Sequence, residues 1–410
     1  MKRSILRMEA TERVAMAFLT LAMCSPTNAA TPLSPEQAFN SRVVRLDHAP
    51  SPEARGHLVV AAQTPANGRH IDVYTADGDD APFRPIGRIT DAVFASGVCC
   101  GTLYELPRRV GSLPGGTLLW AASIGNNTAD KHMAIRIFRS DDEGRSWSLL
   151  GDVHSPSPGQ IWEPEFTVSQ DGALILFYSD ETEAKEHSQL IRKIRTYDGT
   201  RWQDSGYVVA SKIQRDRPGM PVTRRLANGR WMMTYELCGP ARCSAHYRLS
   251  DDGWNWGNPA NVGSEIRLAN GAFPAHAPRF TVAPDGAILL VGQLIETPAL
   301  KLGARNGRVL LVNDAGNPAT PWRTIPAAVP VPDACSETCQ AHQWCPNYSS
   351  SLLTARNGAQ VLEFASDWTD RGCFSSYAWA SWRRDASLPG QDAPSERSCR
   401  RRAHLRECTY

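Results

Sequence analysis

Six tight turns of one kind recur along the chain, each a glycine followed by a short apolar run: "ARGHLVVAAQ", "PGGTLLWAAS", "QDGALILFYS", "ANGRWMMTYE", "PDGAILLVGQ" and "RNGAQVLEFAS". Their glycines, Gly56, Gly116, Gly172, Gly229, Gly286 and Gly358, are separated by 60, 56, 57, 57 and 72 residues. Glycine reaches the positive φ that a tight hairpin turn requires, and each run is rich in β-forming residues. Matching runs precede them: "SRVVRLDH", "GTLYELPRR", "EPEFTVS", "MPVTRRLA", "APRFTVA" and "NYSSSLLTA". A unit of about 57 residues holds four short strands, and a closed ring of such units protects the sheet edges. The expected fold is all-β, a six-bladed β-propeller from about residue 38 to residue 386. Two stacked β-sandwiches would also supply short strands, but they need no steady spacing. The longer last interval contains "PDACSETCQAHQWC", which reads as a loop insertion.

The first 30 residues contain Lys2, Arg3, Arg7 and Arg13, then "VAMAFLTLAMC", then the small residues of "PTNAAT", the pattern of a cleaved export signal. Glu9 and Glu12 are untidy for its basic part, and translation from Met8 would remove neither the apolar run nor the cleavage site. A secreted or periplasmic location follows as an expectation. Without that segment the chain has 40 basic and 40 acidic side chains, which argues against general nucleic-acid binding. No later run has the length of a membrane-spanning helix. Ten cysteines remain after Cys24, an even number in an exported chain, so disulfides are expected rather than zinc. Cys238 with Cys243 and Cys399 with Cys408 are local pairs. Cys335, Cys339, Cys345 and Cys373 would staple the late loop. Cys99 and Cys100 read as too close to pair with each other. Residues 387–410 form a basic tail ending in "SCRRRAHLREC". Nothing in the sequence calls for a cofactor or metal, and a monomer is expected.

In a propeller the innermost strand of a blade starts at the face where the next strand ends. "QIWEPEFTVSQDGALILFYSDE" therefore brings Glu163, Glu165, Asp180 and Glu181 to one face of the third blade. The fourth blade repeats this from Arg217 to Glu236, so Glu163 and Glu236 meet from neighbouring blades at the channel mouth. Two such carboxyls are what glycoside hydrolysis needs, one to protonate the leaving oxygen and one to attack carbon or activate water. Trp162 offers a sugar-stacking wall and a desolvating neighbour. Glu165 is the alternative acid. Asp180 and Glu181 are candidate hydroxyl-binding rim residues, His276 and Arg279 hold the matching place in the fifth blade, and Asn347 and Tyr348 in the sixth.

"FRSDDEGRSWSLLG" places Ser140, Asp142, Gly144 and Trp147 in the S-x-D-x-G-x-x-W pattern of the Asp-box, and "LSDDGWNWG" repeats it one residue short through Ser250, Asp252, Gly253 and Trp256. The pattern resembles the sialidase superfamily, where these aspartates pin turns away from the pocket. "WEPEF", "GMPV" leading through "NGRWMMTYE", and "CPNYSSSLL" resemble family 93 of the glycoside hydrolases, secreted exo-acting arabinanases. The similarity extends over most of blades three to six and weakly over the first two. It implies a retaining exo-hydrolase of α-1,5-linked arabinan, with Glu163 as acid/base, Glu236 as nucleophile and Tyr348 close by, though the two glutamate roles are interchangeable on the sequence. "SRVVRL" resembles the place where the superfamily has an arginine, which nominates Arg42. Two rival readings stand. A sialidase would need an arginine triad, for which Arg42, Arg217 and Arg279 are the nominees. A sugar-binding propeller without activity would not need both acids.

Overall fold

The computed structural model describes residues 30–64, 70–128, 132–299, 301–335 and 344–383. All six turn glycines have positive φ, from 68° at Gly358 to 99° at Gly56, and each joins the first two strands of an antiparallel sheet, four-stranded in five blades and six-stranded in the fourth. Blade one runs through Phe39–Arg45, Leu58–Gln63, Ile71–Ala76 and Arg84–Ile89. Blade two is Val98–Glu105, Leu118–Ile124, Ala134–Ser140 and Ser148–His154. Blade three is Ile161–Val168, Leu174–Asp180, Leu190–Thr196 and Gln203–Val209. Arg217–Arg225, Trp231–Cys238, Ser244–Ser250 and the short Ser264–Glu265 form blade four, whose sheet is extended by Phe273–Ala275 and Leu294–Glu296. Arg279–Val282, Ile288–Val291, Val309–Asn313 and Arg323–Pro326 form blade five, and Ser351–Thr354, Gln360–Thr369 and Gly372–Ser381 most of blade six.

The ring closes with a strand the glycine repeat does not announce. Thr31–Pro32 pairs antiparallel with Tyr377 and Ser376, so a segment ahead of residue 38 supplies the outer strand of blade six. The last blade is thereby held by both ends of the described chain, and its edge is covered.

Blades present both sheet faces to their neighbours, so the inner strands are apolar on both sides while the outermost are not. Leu118–Ile124 and Leu174–Asp180 are buried at every position, whereas Arg84–Ile89 is mostly exposed. The core is accordingly divided into one cluster per blade interface. Ile175, Phe177 and Val209 of blade three meet Trp231, Met233 and Tyr235 of blade four. Leu58 and Tyr74 of blade one meet Leu362 and Phe364 of blade six. Each fully buried side chain of this size stabilises the fold by about 1.5–3 kcal/mol.

The two stretches that resemble an Asp-box sit on turns between the third and fourth strands of their blades. Asp142 accepts hydrogen bonds from the Ser146 amide at 2.9 Å and from Ser140 Oγ at 2.8 Å, and Trp147 Nε1 donates to the Gly144 carbonyl at 3.0 Å. Asp252 accepts from the Trp254 and Asn255 amides at 2.8 and 2.6 Å, and Trp256 Nε1 donates to the Gly253 carbonyl at 3.2 Å. These carboxylates are engaged in holding turns.

Disulfides join Cys238 to Cys243 and Cys345 to Cys373. Cys335 is also disulfide-bonded. Cys339, Cys399 and Cys408, the expected export signal and the basic tail lie outside the described residues. One cysteine expectation is corrected: Cys99 and Cys100 are bonded to each other. Neighbours in a regular strand point to opposite faces, but Cys100 has φ 63°, and this left-handed residue breaks the alternation. No described helix is long and apolar enough to cross a membrane.

Candidate active site

The Cys100 irregularity is one of six. Asn40, Cys100, Glu163, Met220, Ala277 and Ser349 all have φ between 46° and 63°, one at the head of each blade's inner strand. Two residues later, Arg42, Thr102, Glu165, Val222, Arg279 and Ser351 begin the regular pairing with the second strand. In blades one to four the register shifts across this point, which identifies a β-bulge. None of the six is glycine, so each carries the modest cost of the left-handed region, a cost that clusters at functional sites. The inner strand has no partner on its channel side, and a bulge there leaves amides available to side chains.

Two of those amides hold the two glutamates. Glu163 Oε2 accepts from the Met220 amide at 2.7 Å and from Ser179 Oγ at 2.6 Å. Glu236 Oε2 accepts from the Ala277 amide at 2.8 Å and has His276 Nδ1 at 3.9 Å. In both cases the left-handed residue heading the next blade's inner strand grips the acid of the preceding one. Gly219 lies between them: Glu236 is its cross-strand partner, and a Cβ placed on it would lie 3.3 Å from Glu163 Oε2 and 2.4 Å from Gln189 Nε2. Only a residue without a side chain lets blades three and four close here.

Both carboxyls are only partly exposed, and both are pushed above the ordinary range, first by burial. Two hydrogen-bond donors and Arg217 favour the anion on Glu163, while Glu181 opposes it. Glu236 has one donor and also feels the charge of Glu163, and it is raised to about 8. Burial thus favours the neutral form of both carboxyls, and at Glu236 the charge of Glu163 adds to it. Tyr348 donates to Met220 Sδ at 3.2 Å; burial and then the charges of Glu236 and Glu163 push its phenol well above the usual range, so it remains a donor. The structure thus brings Glu163, Glu236, Tyr348 and His276 to one mouth. Trp162 lies beside them, packed against the core between blades two and three.

The remaining nominees are engaged in support. Glu165 is 2% exposed and is the centre of a cluster, accepting from Arg224 Nη1 at 2.6 Å and Thr102 Oγ1 at 3.0 Å, with Arg279 Nη2 at 3.6 Å. The bulge separates it from Glu163, which period-two alternation would have put on the same face. Arg42 donates to the carbonyls of Gly101 and Ser349 and to Ser349 Oγ at 2.8–2.9 Å, fixing the residue after Tyr348. Asn347 donates to the Gly292 and Gln293 carbonyls and accepts from Ser350 Oγ, which shapes the turn before Tyr348. Asp180 is fully buried against Arg192 at 2.5 Å and is no rim residue. Glu181 is on the rim, ion-paired with Arg217 at 2.5 Å, and Arg217 also donates to Gln189 Oε1 at 2.7 Å. The three arginines nominated for a triad are thus divided between Glu181, Glu165 and the Ser349 turn. Met220, Ala277, Ser179 and Gly219 escaped the sequence reading. Only "GMPV" drew attention to two of them, since a backbone amide has no signature in a sequence.

Glu236, Cys238, Cys243 and His276 place their ligand atoms within 4.8 Å of one another. Both cysteines are in a disulfide, so this set offers a metal one carboxylate and one imidazole and lacks the thiolates of a structural zinc site.

No family model matches the sequence, and no curated protein matches it. Solved structures do match. A GH93 alpha-L-arabinofuranosidase of Fusarium graminearum, in complex with arabinobiose, superposes with TM-score 0.66 at 20% identity, covering 86% of this chain and 97% of that one. An alpha-L-arabinanase of Penicillium chrysogenum, also complexed with arabinobiose, gives TM-score 0.66 at 22% identity over 86% of this chain and 96% of its own. A protein of unknown function from Dyadobacter fermentans gives 0.56 at 11% identity over 87% and 98%. This chain shares its six-bladed propeller fold with these two fungal enzymes.

Proposed function

We propose that the protein is an exported glycoside hydrolase acting on α-1,5-linked arabinan or a related oligosaccharide, releasing sugar from chain ends with retention of configuration. The observation that carries this is the pair Glu163 and Glu236, presented by adjacent blades at one mouth with both carboxyls raised by burial. Acid-assisted departure of a sugar needs one protonated and one ionised carboxyl within reach of the same ring. The likeness to two structures bound to arabinobiose supports the sugar, and the family 93 resemblance supports retention and exo action. Disulfides at Cys238–Cys243 and Cys345–Cys373 support export.

In this reading Glu163 protonates the glycosidic oxygen and later activates water, while Glu236 attacks the anomeric carbon. Burial and the Glu163 charge raise Glu236 to about 8, so Glu236 must give up its proton before it attacks. Tyr348 donates toward Glu236 once that carboxylate forms. Hydrolysis of linear arabinan, with NMR of the anomeric product, tests the activity. Azide should rescue Glu163→Gln on an arabinoside with a good leaving group and leave Glu236→Gln inactive. The reverse pattern exchanges the roles; no turnover of arabinan or arabinosides by the wild type overturns the reading.

A further inference from the structure

We propose that the Cys99–Cys100 disulfide is a sugar-contacting platform, packing against the apolar C–H face of the carbohydrate unit on the Glu163 side of the scissile bond. This rests on the hydrolase reading above. A disulfide stabilises a fold chiefly by closing a loop of the unfolded chain. Cys345–Cys373 has a sequence separation of 28 and is fully buried in a core cluster with Phe39. Cys99–Cys100 has a separation of 1 and closes no loop. Both its cysteines are partly exposed and belong to none of the inter-blade cores. Its role is therefore local.

Its place is set by the left-handed residue that heads each inner strand. Cys100 holds in blade two the left-handed position that Glu163 holds in blade three, so the disulfide adjoins the mouth one blade away from that acid. The backbone beneath it is fixed from both sides. The Gly101 carbonyl accepts from Arg42 Nε at 2.9 Å, and Thr102 Oγ1 donates to Glu165 Oε2 at 3.0 Å. A Cβ on Gly101 would lie 2.9 Å from Trp120, so no side chain larger than hydrogen fits behind the pair. The result is a partly exposed, polarisable, apolar surface on backbone held from both sides, the surface that the C–H groups of a sugar ring require and that its hydroxyls do not compete for.

The test is steady-state kinetics on linear arabinan with the Cys99→Ala/Cys100→Gly variant, glycine preserving the positive φ. KM should rise about five- to tenfold with kcat within about twofold, and arabinobiose should bind correspondingly more weakly when the same changes are made in a Glu236→Gln background. If the variant does not fold, native enzyme is treated with dithiothreitol until mass spectrometry shows Cys99 and Cys100 alone reduced. The same KM rise, reversed on reoxidation, is then expected. Unchanged KM and arabinobiose affinity in an active wild-type background overturn the platform and leave the hydrolase reading standing. A wild type inactive on arabinan overturns both.

Discussion

Replacing Glu236 by glutamine keeps the acceptor for the Ala277 amide and removes the titration. Burial and the charge of Glu163 raise the Glu236 carboxyl to about 8, whereas glutamate in an unfolded chain titrates near about 4.3. Between those values the folded protein holds a proton that the unfolded chain releases. Stability from this group is therefore complete below the unfolded value and is lost as pH rises through about 8. Nearly four pH units at about 1.36 kcal/mol each give roughly 5 kcal/mol as a ceiling, and water at the mouth screens this to about 2–4 kcal/mol. For a domain of this size that corresponds to roughly 3–5 °C in melting temperature. Glu105 and Glu363 are also raised to about 7 by burial, and they add a slope common to both proteins. The quantity to read is thus the difference between Glu236→Gln and wild type in thermal melts from pH 4 to pH 9. The variant should match wild type at pH 4 and exceed it by that margin at pH 9. Parallel curves across the range would mean that Glu236 ionises like a solvent-exposed acid and that the coupled-pair account is wrong.

Gly219→Ala inserts a methyl 2.4 Å from Gln189 Nε2 and 3.3 Å from Glu163 Oε2; it should cost about 1–3 kcal/mol of stability and lower kcat by displacing the acid, and wild-type kcat in a folded variant would refute the shared-wall geometry. Glu165→Gln leaves Arg224 and Arg279 without their carboxylate and should cost about 3–5 kcal/mol in chemical denaturation. Glu163→Gln should leave the denaturation midpoint close to wild type while abolishing turnover, so equal destabilisation by the two substitutions would show that the bulge does not separate their roles.

Much of this was legible in the residue order because it depends on periodicity. A turn that requires positive φ selects glycine, and the spacing of Gly56, Gly116, Gly172, Gly229, Gly286 and Gly358 gave the blade count directly. Strand alternation and hairpin logic then placed Glu163 and Glu236 at one mouth. The closing strand Thr31–Pro32 was not legible, because two residues carry no pattern and their partner lies more than 300 positions away. Asp180, Asn347 and Arg42 carry the residue types of a sugar site, yet each is engaged by partners distant in sequence.

The sequence by itself determined the number of blades and the apolar faces that pack them together, since both follow from local periodicity and from chain direction. Only the tertiary structure decided which acids face the channel, burying Asp180 and Glu165 while leaving Glu163 and Glu236 partly exposed at its mouth. Six left-handed non-glycine residues at the heads of the inner strands, four of them at β-bulges, set Glu163 apart from Glu165, aim the amides of Met220 and Ala277 at the two carboxyls, and join Cys99 to Cys100. Such bulges are held by packing between blades rather than by the preference of the residue that adopts them. The electrostatics follow from the same packing, because burial and a neighbouring charge act through space, and neither is a property of one residue in a chain.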